Sequence, residues 1–212
     1  MKLELDHVFI LVKPNAEVAD ALVNIGMIEG SSNDHDGQGT SNRRFYFDNG
    51  MLEFLYVRDE KEANEGPAKN LNFPQRTRNT DASPFGAILH PVDETEKHDP
   101  FEGWKYQPKY FKAGWEFHIG SNSTNLVEPL CIYVPFYNPS LKPEHPGGGI
   151  FKIISEVKIF TPSMSKTLVA TSSAKRLSIK KSDKHLMEIS FNARNEGKSK
   201  DFRPAIPLIV HW

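Results

Sequence analysis

Three titratable side chains stand where strand alternation surrounds them with apolar neighbours. Leu3 to Val12 reads as a strand, and period-two alternation places His7 on one face with Leu5, Phe9 and Leu11. In Met51 to Val57, Glu53 shares its face with Met51, Leu55 and Val57, and in Leu126 to Phe136, Glu128 shares its face with Leu130, Ile132 and Val134. A carboxylate on an apolar face is costly unless a cation, a metal or several hydrogen bonds meet it. Imidazole and carboxylate from neighbouring strands are ligand types suited to a divalent transition metal with open coordination positions. The plainer readings are a hydrogen-bonded core His7, a Glu53 neutralised by Arg43 or Arg44 of the preceding strand, and a Glu128 at its strand's start, outside the buried part.

Other candidates flank these. The loop from His35 through Gly37, Gly39 and Thr40 to Arg44 lacks the lysine of a phosphate-binding P-loop and leads into a strand, so it reads as the rim of a site. Asn42, Arg44 and Tyr46 share a strand face there and could bind a polar or anionic substrate, or Arg43 and Arg44 could form a salt-bridged edge. Trp104, Tyr106, Tyr110, Phe111 and Trp115 could line an apolar pocket or serve as sheet packing. Cys131 lies in an apolar strand as a buried thiol would, and no Gly-x-Ser-x-Gly elbow is present. Glu156 and Lys158 read as an exposed ion pair, and Glu188, beside Leu186 and Ser190, as solvent-facing.

The elements that must position these residues follow a repeated grammar. After the first strand, Asn15 is placed to cap a helix, Val18, Leu22 and Ile25 recur at helical spacing, and Gly26 can end it. Arg43 to Phe47 and Met51 to Val57 are strands joined by Asp48-Asn49-Gly50, a strong hairpin signal. Residues 58–83 read as a surface connection with a short helix around Ala63 to Leu71. Strands follow at Pro84 to His90, Trp104 to Phe111, Trp115 to Ile119 and Leu126 to Phe136, then a Pro- and Gly-rich loop from Pro135 to Gly149. The last third opens with a strand from Ile153 to Phe160 and a helix from Thr161 through Ala174, followed by three more strands. Few helices among many strands favour an α+β fold.

Composition narrows the function. The 212 residues carry 26 Lys+Arg against 27 Asp+Glu, a net charge of −1, without the basic excess that phosphate backbones demand, so no nucleic-acid partner is expected. One cysteine excludes an intrachain disulfide and a cysteine-based zinc site. No apolar run is long enough to span a bilayer, so a cytoplasmic location without a membrane partner is expected. Function should then reside in a cleft that takes a small molecule.

The residues Leu5-Asp6-His7-Val8, the helix ending at Gly26, Gly39-Thr40-Ser41-Asn42-Arg43, Leu52-Glu53, and later Phe85-Gly86-Ala87-Ile88-Leu89 and His145-Pro146 resemble the glyoxalase-like proteins of the vicinal oxygen chelate superfamily. The resemblance implies paired βαβββ modules whose curved sheets surround a cleft: residues 1–57 as the first module, 58–83 as a connection, 84–149 as the second, strand-rich module, and 150–212 as a C-terminal extension or, alternatively, the true second module. It further implies a divalent metal ion (Ni, Co, Mn, Fe or Zn) held by His7, Glu53 and Glu128, with Glu128 also catalytic. In the other register Glu188 and Glu156 would take the corresponding positions. Asn42, Arg44, Trp104 and Tyr106 would contact the substrate. The implied activity is bidentate chelation of substrate oxygens by a lyase, isomerase or dioxygenase, the alternative being non-catalytic sequestration of a small molecule. A homodimer is compatible with the resemblance.

Overall fold

The computed structural model describes residues 2–93, 95, 98–136 and 149–212. His145-Pro146 and most of the loop expected over 135–149 lie outside them. The chain is α+β with a glyoxalase-like architecture of two curled sheets and few helices.

β1 (Leu3–Leu11) leads through a 3-10 turn at Pro14–Ala16 into α1 (Ala19–Val23). The helix expected from a cap at Asn15 starts three residues late because Asn15 and Ala16 have φ of 69° and 48°, a left-handed conformation that breaks the helical path. After β2 (Asp34–His35), β3 (Thr40–Phe47) and β4 (Gly50–Val57) form the hairpin that Asn49-Gly50 signalled. Gly50 is required there for a close approach, since a Cβ would lie 2.9 Å from the Asp6 carbonyl oxygen of β1. The connection folds into α2 (Glu60–Glu65) and α3 (Phe73–Arg78) on either side of a 3-10 turn.

β5 (Phe85–Pro91), β6 (Gly103–Tyr106), β7 (Phe117–Gly120) and β8 (Leu130–Tyr133) complete an eight-stranded sheet in the order β2-β3-β4-β1-β5-β8-β7-β6. Within it β1 runs parallel to β4 and β5 parallel to β8, while β1 and β5 meet antiparallel, so the order on one side of the junction mirrors that on the other. β9 (Ile154–Thr161), α4 (Lys166–Thr171), β10 (Leu177–Lys181), β11 (Leu186–Phe191), β12 (Ser199–Asp201) and β13 (Leu208–His211) build a separate five-stranded sheet, ordered β10-β9-β11-β13-β12. Ser165 caps α4 by accepting from the Leu168 N–H, which sets its start later than Thr161.

Packing separates the two faces of the large sheet. Val8, Ile10, Phe45, Leu52 and Phe54 join Val157, Ile159, Met187, Ile189, Leu208 and Val210 in one core between the sheets. Phe9, Leu11, Leu55, Phe73, Ile88, Tyr106 and Ile132 form a second cluster on the other face. Strict alternation puts Leu5 beside His7, but a register shift between Leu5 and His7 reverses the phase. Leu5 therefore joins the inter-sheet core, while His7, Phe9 and Leu11 keep the second face.

Candidate functional site

The second face carries a cleft of about 480 Å³ with His7, Glu53, His35, Asn42 and Arg44 at its polar part and Phe9, Phe73, Tyr106, Tyr110, Phe117 and Ile132 among its apolar walls. β1 supplies His7 and β4 supplies Glu53, two positions offset along a parallel pair in which His7 faces Met51 and Phe9 faces Glu53 in register. β3 supplies Asn42, and the two-residue β2 brings in His35 opposite Thr40. The half of the sheet beyond the β1–β5 junction contributes walls.

Glu53 is buried, and its main partner is neither arginine. The Asn42 side-chain amide donates to Glu53 Oε1 at 2.5 Å, while Asn42 Oδ1 accepts the Asn33 backbone N–H at 2.7 Å. Arg43 turns away to Glu29 and Asp20, and Arg44 donates to the Ser31 carbonyl while its guanidinium lies 5.2 Å from the centre of the Tyr46 ring. Two imidazoles flank the carboxylate. His7 Nε2 stands 3.9 Å from Oε2, and His35 Nε2 stands 3.9 Å from Oε1. Both gaps exceed hydrogen-bond length, so each accommodates a small rearrangement or a bound atom.

The two rings differ electrostatically. Burial opposes a charge on His7, but the hydrogen bond from Nδ1 to the Asp6 carboxylate, the Asp6 charge and the Glu53 charge outweigh it and raise the pKa above the ordinary imidazole value. At His35 burial prevails and lowers the pKa. One ring thus favours the cation and the other the neutral form, beside a shared carboxylate. Burial also raises the pKa values of Tyr106 and Tyr110, which stay protonated as hydrogen-bond donors.

The expected site residues do not all converge. His7, Glu53, Asn42, Arg44 and Tyr106 line the cleft. Trp104 is not among its lining residues; its indole N–H donates to Ser123 Oγ at 3.1 Å. Glu128 lies in the bend before β8 rather than on the strand, because β8 begins only at Leu130. Its fully buried carboxylate accepts from Ser163 at 2.7 Å and Asn122 at 3.2 Å, and its carbonyl accepts from the buried Arg76 at 2.7 Å. The residue paired with His7 across the β1–β5 junction is Ile88, which offers no ligand atom. Among the described residues no group of three or more His, Cys, Asp or Glu side chains is arranged to hold a metal ion. Of the implied ligand set only His7 and Glu53 share the cleft.

His35 is a cleft residue that sequence patterning does not mark individually. It lies in a polar, turn-rich stretch with no period to mark it, and its placement depends on the β2–β3 pairing. The signal available was its position four residues before Gly39-Thr40-Ser41-Asn42.

No family model matches the chain, and no curated protein matches it. A solved structure of a hypothetical protein from Staphylococcus aureus superposes with a TM-score of 0.58 at 14% identity, covering 99% of each chain. A hypothetical protein from Bacillus halodurans gives 0.45 at 14% identity over 70% of this chain and all of its own. Methylmalonyl-CoA epimerase from Mycobacterium tuberculosis gives 0.41 at 14% identity over 62% of this chain and 86% of its own. At such identities the Staphylococcus likeness shows the fold alone. What the sheets and the cleft define is a fold class, α+β and glyoxalase-like in architecture. Among the described residues no helix is long and apolar enough to cross a membrane.

Proposed function

We propose that the chain is an enzyme that binds a small oxygen-bearing molecule in this cleft and moves a proton on a carbon next to the oxygen, an isomerase- or lyase-type reaction. The observation that carries the reading is a buried carboxylate flanked by two imidazoles whose surroundings drive their protonation apart. Titratable neighbours separated in this way define acid and base roles. Asn42 occupies Oε1 of Glu53 and leaves Oε2 as the proton acceptor. His7, favoured as the cation by Asp6, directs Nε2–H toward the same region and stabilises negative charge that develops on the substrate oxygen. The aromatic walls exclude water from the reacting atoms and take the apolar body of the substrate. Arg44 at the rim suits an anionic tail. No step in this reading is routed through a metal ion.

The test is proton exchange. A panel of small carbonyl compounds bearing an acidic α C–H is incubated in D2O with the protein, and the α-proton signal is followed by NMR. Wild-type protein is expected to exchange at least one compound, and Glu53→Gln to lose about 10²-fold or more in rate, the scale of general acid–base catalysis. Compounds that bind by thermal shift yet exchange no faster than in buffer would support sequestration instead. Stoichiometric binding of Ni, Co, Mn, Fe or Zn that is lost in His7→Ala would overturn the metal-free mechanism.

A further inference from the structure

We infer that Gln38 and Thr40 form a relay that fixes His35 with its ring proton on Nε2, holding a neutral N–H donor toward the Glu53 oxygen that His7 does not face. The inference deepens the proton-transfer reading and rests on it for its functional meaning, while its own test does not.

The hydroxyls of Tyr106 and Tyr110 reach the same atom, Gln38 Oε1, at 3.2 and 3.3 Å. A phenol can donate or accept, but each has one proton to place and Gln38 Oε1 is the acceptor that the described residues offer it, so the oxygen faces the tyrosines and Nε2 faces Thr40. Gln38 Nε2 then donates to Thr40 Oγ1 at 2.8 Å. Thr40 is fully buried and has a single hydroxyl proton to place. Among the described residues the acceptor within reach is His35 Nδ1, at 3.0 Å. Nδ1 therefore accepts, and the neutral ring carries its proton on Nε2.

The opposite tautomer fails on two counts. It would bring two donors onto Thr40 Oγ1 and strand the buried hydroxyl proton, a loss comparable to a broken hydrogen bond. It would also turn the Nε2 lone pair toward the Glu53 carboxylate 3.9 Å away. One contact opposes the Nε2–H tautomer: Asn42 Nδ2, held as a donor by its bond to Glu53 Oε1 and by the Asn33 N–H on its oxygen, lies 3.4 Å from His35 Nε2, but that contact is longer than the 3.0 Å from Thr40 Oγ1 to Nδ1, where Gln38 Nε2 also stands as a donor at 3.5 Å.

Gln38 and Thr40 are thus positioning residues. They act through His35, and the tyrosines that fix Gln38 also stand in the cleft wall, so the wall that receives the substrate's apolar body is tied to the ring that faces Glu53 Oε1. A ring protonated on Nε2 has no lone pair there, which separates its role from that of a metal ligand.

The experiment is imidazole 15N NMR on the intact, 15N-labelled chain at neutral pH, with His35 assigned among the eight histidines by the signals missing in His35→Gln. The expected wild-type spectrum shows His35 Nε2 as the protonated, pyrrole-type nitrogen and Nδ1 as the pyridine-type nitrogen. Thr40→Ser, which keeps the hydroxyl, should retain that pattern, whereas Thr40→Val should collapse the two shifts toward an average of tautomers. A wild-type ring protonated on Nδ1, an imidazolium, or a Thr40→Val spectrum unchanged from wild type would overturn the relay. If Thr40→Val does not fold, the wild-type and Thr40→Ser spectra still decide. Failure of the exchange assay with the expected tautomer in place would count against the proposed reaction and leave the relay standing.

Discussion

Removing the Asn42 amide exposes how Glu53 is tolerated on an apolar face, without knowledge of any substrate. Asn42 and Glu53 are 2% and 6% exposed, so water cannot replace a lost partner at low cost. Asn42→Ala deletes a hydrogen bond to an ionised carboxylate, worth about 1.5–3 kcal/mol, and a neutral bond from the Asn33 N–H, worth about 0.5–1.5 kcal/mol. The expected loss is therefore about 2–4.5 kcal/mol, within the total stability of a typical domain, so the variant should remain folded. Glu53→Gln keeps an acceptor for the Asn42 amide while removing a buried charge, and should change stability by about 1 kcal/mol or less. In the double variant the charge that needed Asn42 is gone, so the two losses should fail to add by about 1–2 kcal/mol, as contacting residues do. Urea unfolding followed by the fluorescence of the three tryptophans gives all four corners of the cycle. Additivity within about 0.5 kcal/mol would show that Asn42 does not hold Glu53 and would remove the argument that Oε2 is the free oxygen.

Three further outcomes follow from the same contacts. Asp6→Asn removes the charge that raises the His7 pKa and leaves at most a neutral acceptor for Nδ1–H, so that pKa should fall in NMR titration. The stability that protonated His7 contributes is present below its unfolded-state value and disappears as pH rises through the raised folded value. The stability gap between wild type and Asp6→Asn should accordingly narrow with rising pH across that window, and a constant gap would refute the pairing. Arg76, buried and donating to the carbonyls of Leu126, Glu128 and Ser123 at 2.7 to 3.2 Å, fixes the bend that leads into β8. Arg76→Met should cost about 2–4 kcal/mol in thermal unfolding, because it leaves buried carbonyls without their charged donor, and a loss under about 1 kcal/mol would contradict that role. Burial pushes the Cys131 thiol up to about 12, so a thiol reagent at pH 8 should leave native protein unmodified and take up one equivalent after unfolding.

How much of this was legible in the sequence depends on the range of the interactions involved. The β3–β4 hairpin follows from a local signal, Asn-Gly between apolar runs, and the alternation around Glu53 survives into the fold because β4 is regular from end to end. His7 reaches the cleft face with Phe9 and Leu11 as alternation predicts, but the register shift after Leu5, which sends Leu5 to the other face, is not contained in the alternation. Glu128 shows the converse failure. Its spacing to Leu130 and Ile132 is that of a strand face, yet the chain reaches strand geometry only at Leu130, and the bend before it is held by Arg76, 52 positions away. Trp104 and Tyr106 sit two apart on β6, but only Tyr106 lines the cleft. His35 was illegible individually because its setting is made by pairing with Thr40 and by tyrosines around 70 positions later.

The division of the large sheet's two faces explains how a buried carboxylate persists. The face of β1 and β4 away from the cleft packs against the five-stranded sheet, and the clamps between the sheets act on backbone as well as side chains. Asn49, in the β3–β4 turn, both donates to the Ile154 carbonyl and accepts the Ile154 N–H at 2.9 Å, while Arg176 bonds the Leu5 carbonyl and Glu4 on β1. Those contacts hold the two strands that carry His7 and Glu53 from behind, so the cleft face need not be optimised for packing. The asymmetry across the β1–β5 junction has the same origin. One half of the sheet supplies His7, His35, Asn42 and Glu53, and the other answers with Ile88, Tyr106, Phe117 and Ile132. Interactions among charges strengthen where one wall is apolar and water is excluded, because the local dielectric falls. Replacing Ile88 by a polar residue of similar size should therefore weaken proton transfer even though Ile88 contributes no reacting atom.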